Sequence, residues 1–97
     1  MTKYLLSEFI TYHQKLNMSE RELWIIGTAD VSVECCTALQ RCTSAIYHEE
    51  IRSSYDDYDS TETYEYAIIV ELREEPRSTQ FLLKYSGILE DLDYERI

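Results

Sequence analysis

Glycine and proline are scarce in this 97-residue chain, two and one respectively. Their scarcity excludes glycine-rich phosphate loops, proline-rich ligand segments and flexible linkers. Long apolar runs are also lacking. They reach four residues, at Leu23 to Ile26 and at Ala67 to Val70, far below the roughly 18 needed to span a bilayer. No export signal or membrane segment is visible, and three cysteines in such a chain read as reduced thiols rather than a disulfide framework. A cytosolic protein is the expectation. Positive charge is the last shortage: 9 basic residues face 19 acidic ones, for a formal net charge of -10.

What is present is ordinary in amount and unusual in sign. Apolar residues make up 44% and charged residues 29%, so a compact fold is expected rather than disorder. A single domain over residues 1–97 buries only about 60 to 68% of its unfolded surface and is stable by about 5 to 15 kcal/mol. Residues 1–48 carry five acids and four bases, a net of -1, whereas residues 49–97 carry fourteen acids and five bases, a net of -9. Nearly all the excess lies in the second half.

The periodicity predicts an α+β fold, with N-terminal helices packed on an antiparallel β-hairpin or small sheet and a short C-terminal helix. Leu5, Leu6, Phe9, Ile10, His13 and Leu16 follow helical spacing. Ser19 and Glu22 form a capping box for a short helix that Gly27 would end in a left-handed conformation. Asp30 would then cap a longer helix reaching Ser53, with Val31, Cys35, Leu39, Cys42 and Ile46 facing inward, so that residues 1–54 are mainly helical. Residues 55–63 read as an acidic loop. The two-residue alternation of Tyr64 to Arg73, the turn around Pro76 and the alternation of Thr79 to Tyr85 predict a hairpin over residues 64–85. Ser86 would cap a helical segment over residues 86–97.

Tests for chemistry come back empty. A helix, the Gly27 turn and a second helix outline a helix-turn-helix, but the second helix begins with Asp30 and Glu34, and phosphate would repel it. Cys35, Cys36 and Cys42 lack the C-x-x-C spacing of a zinc knuckle, and Arg52 stands where His48-Glu49 would need a second histidine four residues on. Asp57, Asp59 and Thr61 start like a calcium loop, but Glu62 replaces its glycine and Ile68 its final glutamate. Paired carboxylates without a desolvated pocket do not make an acid-base site. No enzyme, cofactor or metal is expected.

The acidity itself remains. Glu49, Glu50, Asp56, Asp57, Asp59, Glu62, Glu65, Glu71, Glu74 and Glu75 precede a second group, Glu90, Asp91, Asp93 and Glu95. Solubility asks a small domain for a net charge of only about 2 to 8, and further like charge opposes folding by self-repulsion. A surface shaped for a basic partner explains the rest. Same-face carboxylates on a strand stand about 6.6 Å apart, close to two 3.4 Å steps of a phosphate backbone, and Tyr58 among them could add a flat contact.

The clusters Asp56-Asp57-Tyr58-Asp59 and Glu90-Asp91-Leu92-Asp93, in a small chain without catalytic motifs, resemble the acidic proteins with which bacteriophages block host defence, DNA-mimicking anti-CRISPR proteins among them. The resemblance implies a non-enzymatic inhibitor whose partners are basic DNA-binding proteins, for example subunits of a CRISPR surveillance complex, with no binding to nucleic acid or membrane, acting in the host cytoplasm. The alternative is an acidic adaptor that binds a partner through the hairpin and an apolar surface including Phe81, Leu83 and Leu89.

Overall fold

The structure, a computed structural model, describes residues 2–91. Its elements run β1 (Thr2–Tyr12), α1 (Glu20–Gly27), α2 (Val33–Cys42), β2 (Thr43–Asp56), β3 (Thr61–Leu72), α3 (Pro76–Lys84) and β4 (Glu90–Asp91). The four strands form one antiparallel sheet in the order β2-β3-β1-β4. The class is α+β, with a strand first rather than a helix.

β3 is the central strand, and its alternation organises the whole molecule. Ile68, Val70 and Leu72 turn to one face, where they join Leu23 of α1, Cys35, Leu39 and Cys42 of α2, Ile46 of β2 and Phe81 of α3 in the main core. Ala67 and Ile69 turn to the opposite face and meet Leu5 and Tyr47. Five successive residues, Tyr66 to Val70, are therefore buried. That burial explains why this stretch is apolar at both parities.

The N-terminal segment corrects the helical expectation. β1 pairs with β3 from Thr2 opposite Leu72 to Tyr12 opposite Thr63, and its register shifts between Leu5 and Ser7. The bulge inserts one residue, so Tyr4, Leu6 and Phe9 all pack toward the helices while Leu5 turns to the other face. A two-residue alternation with one slip imitates helical spacing over so short a stretch.

The second helix is also shorter than its apolar stripe suggests. Ser32, not Asp30, caps α2, its hydroxyl accepting from the Cys35 N–H at 3.1 Å. The helix stops at Cys42, and residues 43–56 form β2 instead of continuing to Ser53. Ile46 reaches the same core from the strand, which is why it extended the stripe. The capping box at Ser19 and Glu22 stands as read: the Glu22 N–H reaches the Ser19 hydroxyl at 3.3 Å and Glu22 answers the Ser19 N–H at 3.4 Å. Gly27 does not end α1 in a left-handed conformation. It is buried against β1, and a Cβ there would stand 2.7 Å from Leu6 Cδ2, so any larger residue requires the Leu6 side chain to shift.

Three more expectations change. Residues 55–63 are a hairpin end, closed by a turn at 57–60 in which Ser60 takes a φ of 57°. The segment expected as the second strand of a 64–85 hairpin is α3: Pro76 opens it at a first-turn position, and Ser78 and Phe81 are buried while Leu83 is 79% exposed. The strand that pairs with β3 is instead β2, and β1 pairs on its other side. Residues 86–91 form a turn and β4, not a helix capped by Ser86; the rest of that expected helix, 92–97, lies outside the described residues.

Candidate functional site: the face of the sheet opposite the helices

All three helices lie on one side of the sheet, and among the described residues no element packs on the other. Residues directly opposite in neighbouring strands share a face, so the register maps what this second face presents. Across its first row stand Ala45, Glu71 and Lys3; across the second Tyr47, Ile69 and Leu5, with Glu90 beyond on β4. The third row is Glu49, Ala67 and Glu8, and the fourth Arg52, Glu65 and Ile10. Near the hairpin end Asp56 stands opposite Thr61.

Six carboxylates therefore share the face, Glu8, Glu49, Asp56, Glu65, Glu71 and Glu90, against two cations, Lys3 and Arg52. From Glu71 to Thr61 the strand advances ten residues, about 33 Å. Glu8 and Glu49, both exposed, flank the small Ala67 from strands two apart, so their Cα atoms are about 10 Å from each other. Leu5, Ala67 and Ile69 between the charges have 7%, 1% and 0% exposure. The apolar floor at the centre is buried; Glu8, Glu49, Asp56 and Glu90 are exposed and Glu65 and Glu71 half-buried, with Ile10 and Tyr12 exposed toward the distal end.

The two cations are committed within the face. Arg52 Nε stands 3.4 Å from the Glu65 carboxylate. Lys3 lies with its ammonium 5.8 Å from the Tyr47 ring centre, and its pKa is raised above the ordinary lysine value by a hydrogen bond to Tyr47 and by the charges of Tyr47, Glu71 and Glu49. Both pairs are open to solvent, so screening keeps their energies small.

The remaining acids are not brought together with these. Asp57 and Asp59 sit in the exposed turn, where Asp56 accepts from the Tyr58 N–H at 2.9 Å and Tyr58 itself is 98% exposed. Glu50 and Glu62 belong to the helix side. Glu50 lies 3.8 Å from Lys15, and Glu62 accepts at 3.1 Å from the Tyr64 hydroxyl, whose pKa that bond raises. Glu74 and Glu75 stand beside the start of α3, and Asp91 opposite Tyr4. Asp93 and Glu95 lie outside the described residues. Glu8, in the half with almost no net charge, was not singled out by sequence; its signal was its place one residue past the bulge of a strand read as helix.

The thiols and imidazoles occupy structural places. Cys35 and Cys42 are buried in the main core and Cys36 is half-buried; burial pushes the Cys35 thiol pKa up, which keeps it protonated and unreactive. His48 lies on β2 rather than on a helix surface, half-buried, its Nε2 3.2 Å from the Leu16 carbonyl and its ring edge-on to Tyr66. Among the described residues no group of three or more His, Cys, Asp or Glu side chains is placed to hold a metal ion, and no helix is long and apolar enough to cross a membrane.

Comparison with protein-family models, with curated proteins and with solved structures returned no match.

Proposed function

We propose that the protein is a non-enzymatic inhibitor whose sheet face opposite the helices takes the place of DNA on a basic DNA-binding surface of a host defence complex, of which a CRISPR surveillance complex is the type. The observation that carries this reading is the alignment of Glu8, Glu49, Asp56, Glu65, Glu71 and Glu90 on one face of the sheet. Its length of about 33 Å is close to one turn of duplex, about 34 Å. Proteins that grip DNA answer its backbone with rows of Lys and Arg, and those rows cannot tell phosphate from a suitably spaced carboxylate by charge alone. A sheet anchored by Ile68, Ile69 and Val70, all at 0% exposure, holds such an array without ordering it on binding, which limits the entropic cost of association. No covalent step is needed, since occupancy alone excludes the duplex. The host cytoplasm, where such complexes meet invading DNA, is the compartment this reading assigns.

The test is competition. The target retained by the immobilised protein from host lysate should be displaced by excess duplex DNA, and a Glu8→Gln/Glu49→Gln/Glu65→Gln variant should fail to retain it. Retention that ignores both DNA and these substitutions contradicts the reading.

One observation favours a second reading, an adaptor that binds through apolar surface. Ile10 and Tyr12, on the same face toward its distal end, are 49% and 61% exposed. Under that reading Ile10→Ala and Tyr12→Ala abolish partner binding while the glutamine variant retains it. Phe81 has no part in either, because it is buried in the core.

A further inference from the structure

The helix layer carries a feature opposite in sign to the sheet face. Four of the chain's nine basic residues, Arg41, Arg73, Arg77 and Lys84, belong to α2, α3 or the segment joining β3 to α3. A groove of about 610 Å3 runs between α2 and α3, and Arg41, Arg77 and Lys84 line it. That volume lies within the range of small-molecule sites, about 300 to 1,000 Å3.

The arrangement along the groove is polarised. Residues 34, 37, 38 and 41 share one face of α2, and residues 77, 80, 81 and 84 share one face of α3. Lys84 reaches Glu34 at 3.5 Å, which sets the end of α3 beside the start of α2. The helices therefore run antiparallel here, and Arg41 and Arg77 come to the same opposite end. Among the described residues Glu34 is the one carboxylate lining the groove, and it is spent at the Lys84 end. At the other end Arg73, outside the groove lining, reaches the Arg41 carbonyl with Nη1 at 3.5 Å. Arg77 lies 3.9 Å from Glu75, too long for a hydrogen bond. In a chain with ten more acids than bases, this end of the groove gathers two guanidiniums, with the Glu75 carboxylate in a long ion pair to one of them.

We propose that this groove binds a phosphomonoester carrying a flat organic body. Each guanidinium offers a planar fork of N–H donors; one fork satisfies a carboxylate, whereas a dianionic phosphate has oxygens for two. Beyond the guanidiniums, Thr37 and Gln80 offer hydrogen bonds and Phe81 and Tyr85, ring centres 5.0 Å apart, form the apolar wall. The phosphate belongs at the Arg41 and Arg77 end, the flat body against Tyr85, and the Glu34–Lys84 pair meets the polar edge of that body. This site is on the helix layer, away from the acidic face, and does not depend on the reading given to that face.

Adenosine 5′-monophosphate is a suitable probe, with inorganic phosphate and adenosine as its two halves. Titrations of the full chain followed by amide NMR shifts should saturate with the nucleotide at concentrations at least tenfold below either half, with shifts confined to α2, α3 and the segment between β3 and α3. Arg41→Gln/Arg77→Gln should weaken the nucleotide at least tenfold. Both side chains are exposed, and an unchanged spectral dispersion checks that the variant is folded. Arg41→Lys/Arg77→Lys, which keeps the charge but loses the forks, should fall between the two. Glu8→Gln/Glu49→Gln, on the other face, should bind as the unaltered protein does. Absence of saturation at millimolar nucleotide, equal saturation by inorganic phosphate alone, or undiminished binding by the glutamine pair would each overturn the proposal.

Discussion

Glu8 of β1 and Glu49 of β2 stand on either side of Ala67, paired to the same residue of the central strand from opposite directions. Two exposed carboxylates held this way on the face opposite the helices contribute little to the fold, since surface charges change stability within about 0.5 kcal/mol. Glu8→Gln/Glu49→Gln should therefore leave the urea midpoint nearly unchanged while slowing association with a basic partner at least tenfold. The pairing of a silent unfolding curve with a slowed association rate separates a surface kept for binding from one kept for folding.

The core makes the contrary prediction. Leu39 has 0% exposure at the centre of α2, and Leu83 of α3 is 79% exposed. Leu39→Ala should cost about 2 to 5 kcal/mol, a large share of a total of about 5 to 15. Leu83→Ala should change the unfolding free energy by less than about 0.5 kcal/mol. Equal effects in denaturant titrations would mean that α3 is a strand with Leu83 turned inward.

Tyr66 ties the sheet to the segment that follows β1. Its hydroxyl accepts from the Leu16 N–H at 3.2 Å, Phe9 stacks on its ring at 5.3 Å, and His13, with a φ of 64°, reverses the chain so that its own N–H reaches the Glu62 carbonyl at 2.8 Å. Tyr66→Phe keeps the stack and removes the acceptor, for a loss of about 1 kcal/mol. Hydrogen exchange should quicken at Leu16 and leave Val70 unchanged.

Cys35 sets the alkaline limit. Burial raises its thiol pKa above the ordinary 9.0, so the folded state favours the protonated form more than the unfolded state does. The stabilisation is complete below the unfolded value and is lost as pH rises through the folded one. Stability should fall above about pH 9, and Cys35→Ala should flatten that fall at some cost from the cavity it leaves. In the native protein an alkylating reagent should modify Cys36 before Cys35.

The class, the capping box, the strand through Tyr64 to Leu72 and the inward cysteines were legible in the sequence because each rests on a local signal. What misled had physical causes. A bulge at Leu5 to Ser7 broke the alternation of β1, and nothing between Cys42 and Thr43 marks the change from helix to strand, since no Gly or Pro interrupts it. α3 begins at Pro76 after Glu75, which makes no side-chain capping bond, so the usual Ser, Thr, Asp or Asn was not there to announce it. The acidic excess was legible as an amount but not as a surface. Glu49 and Glu50 are neighbours in sequence and lie on opposite faces, and only the register with Ala67 and Tyr66 separates them.

The most direct test of the acidic face is the association rate with its DNA-binding target, measured against salt for the native chain and for Glu8→Gln/Glu49→Gln/Glu65→Gln. A surface that stands in for a phosphate backbone predicts a rate that falls steeply as the screening length shrinks from about 10 Å at 0.1 M salt to about 3 Å at 1 M, a shallower slope for the variant, and loss of binding when duplex DNA is in excess. A rate indifferent to salt, equal for the two proteins and unaffected by DNA would contradict it.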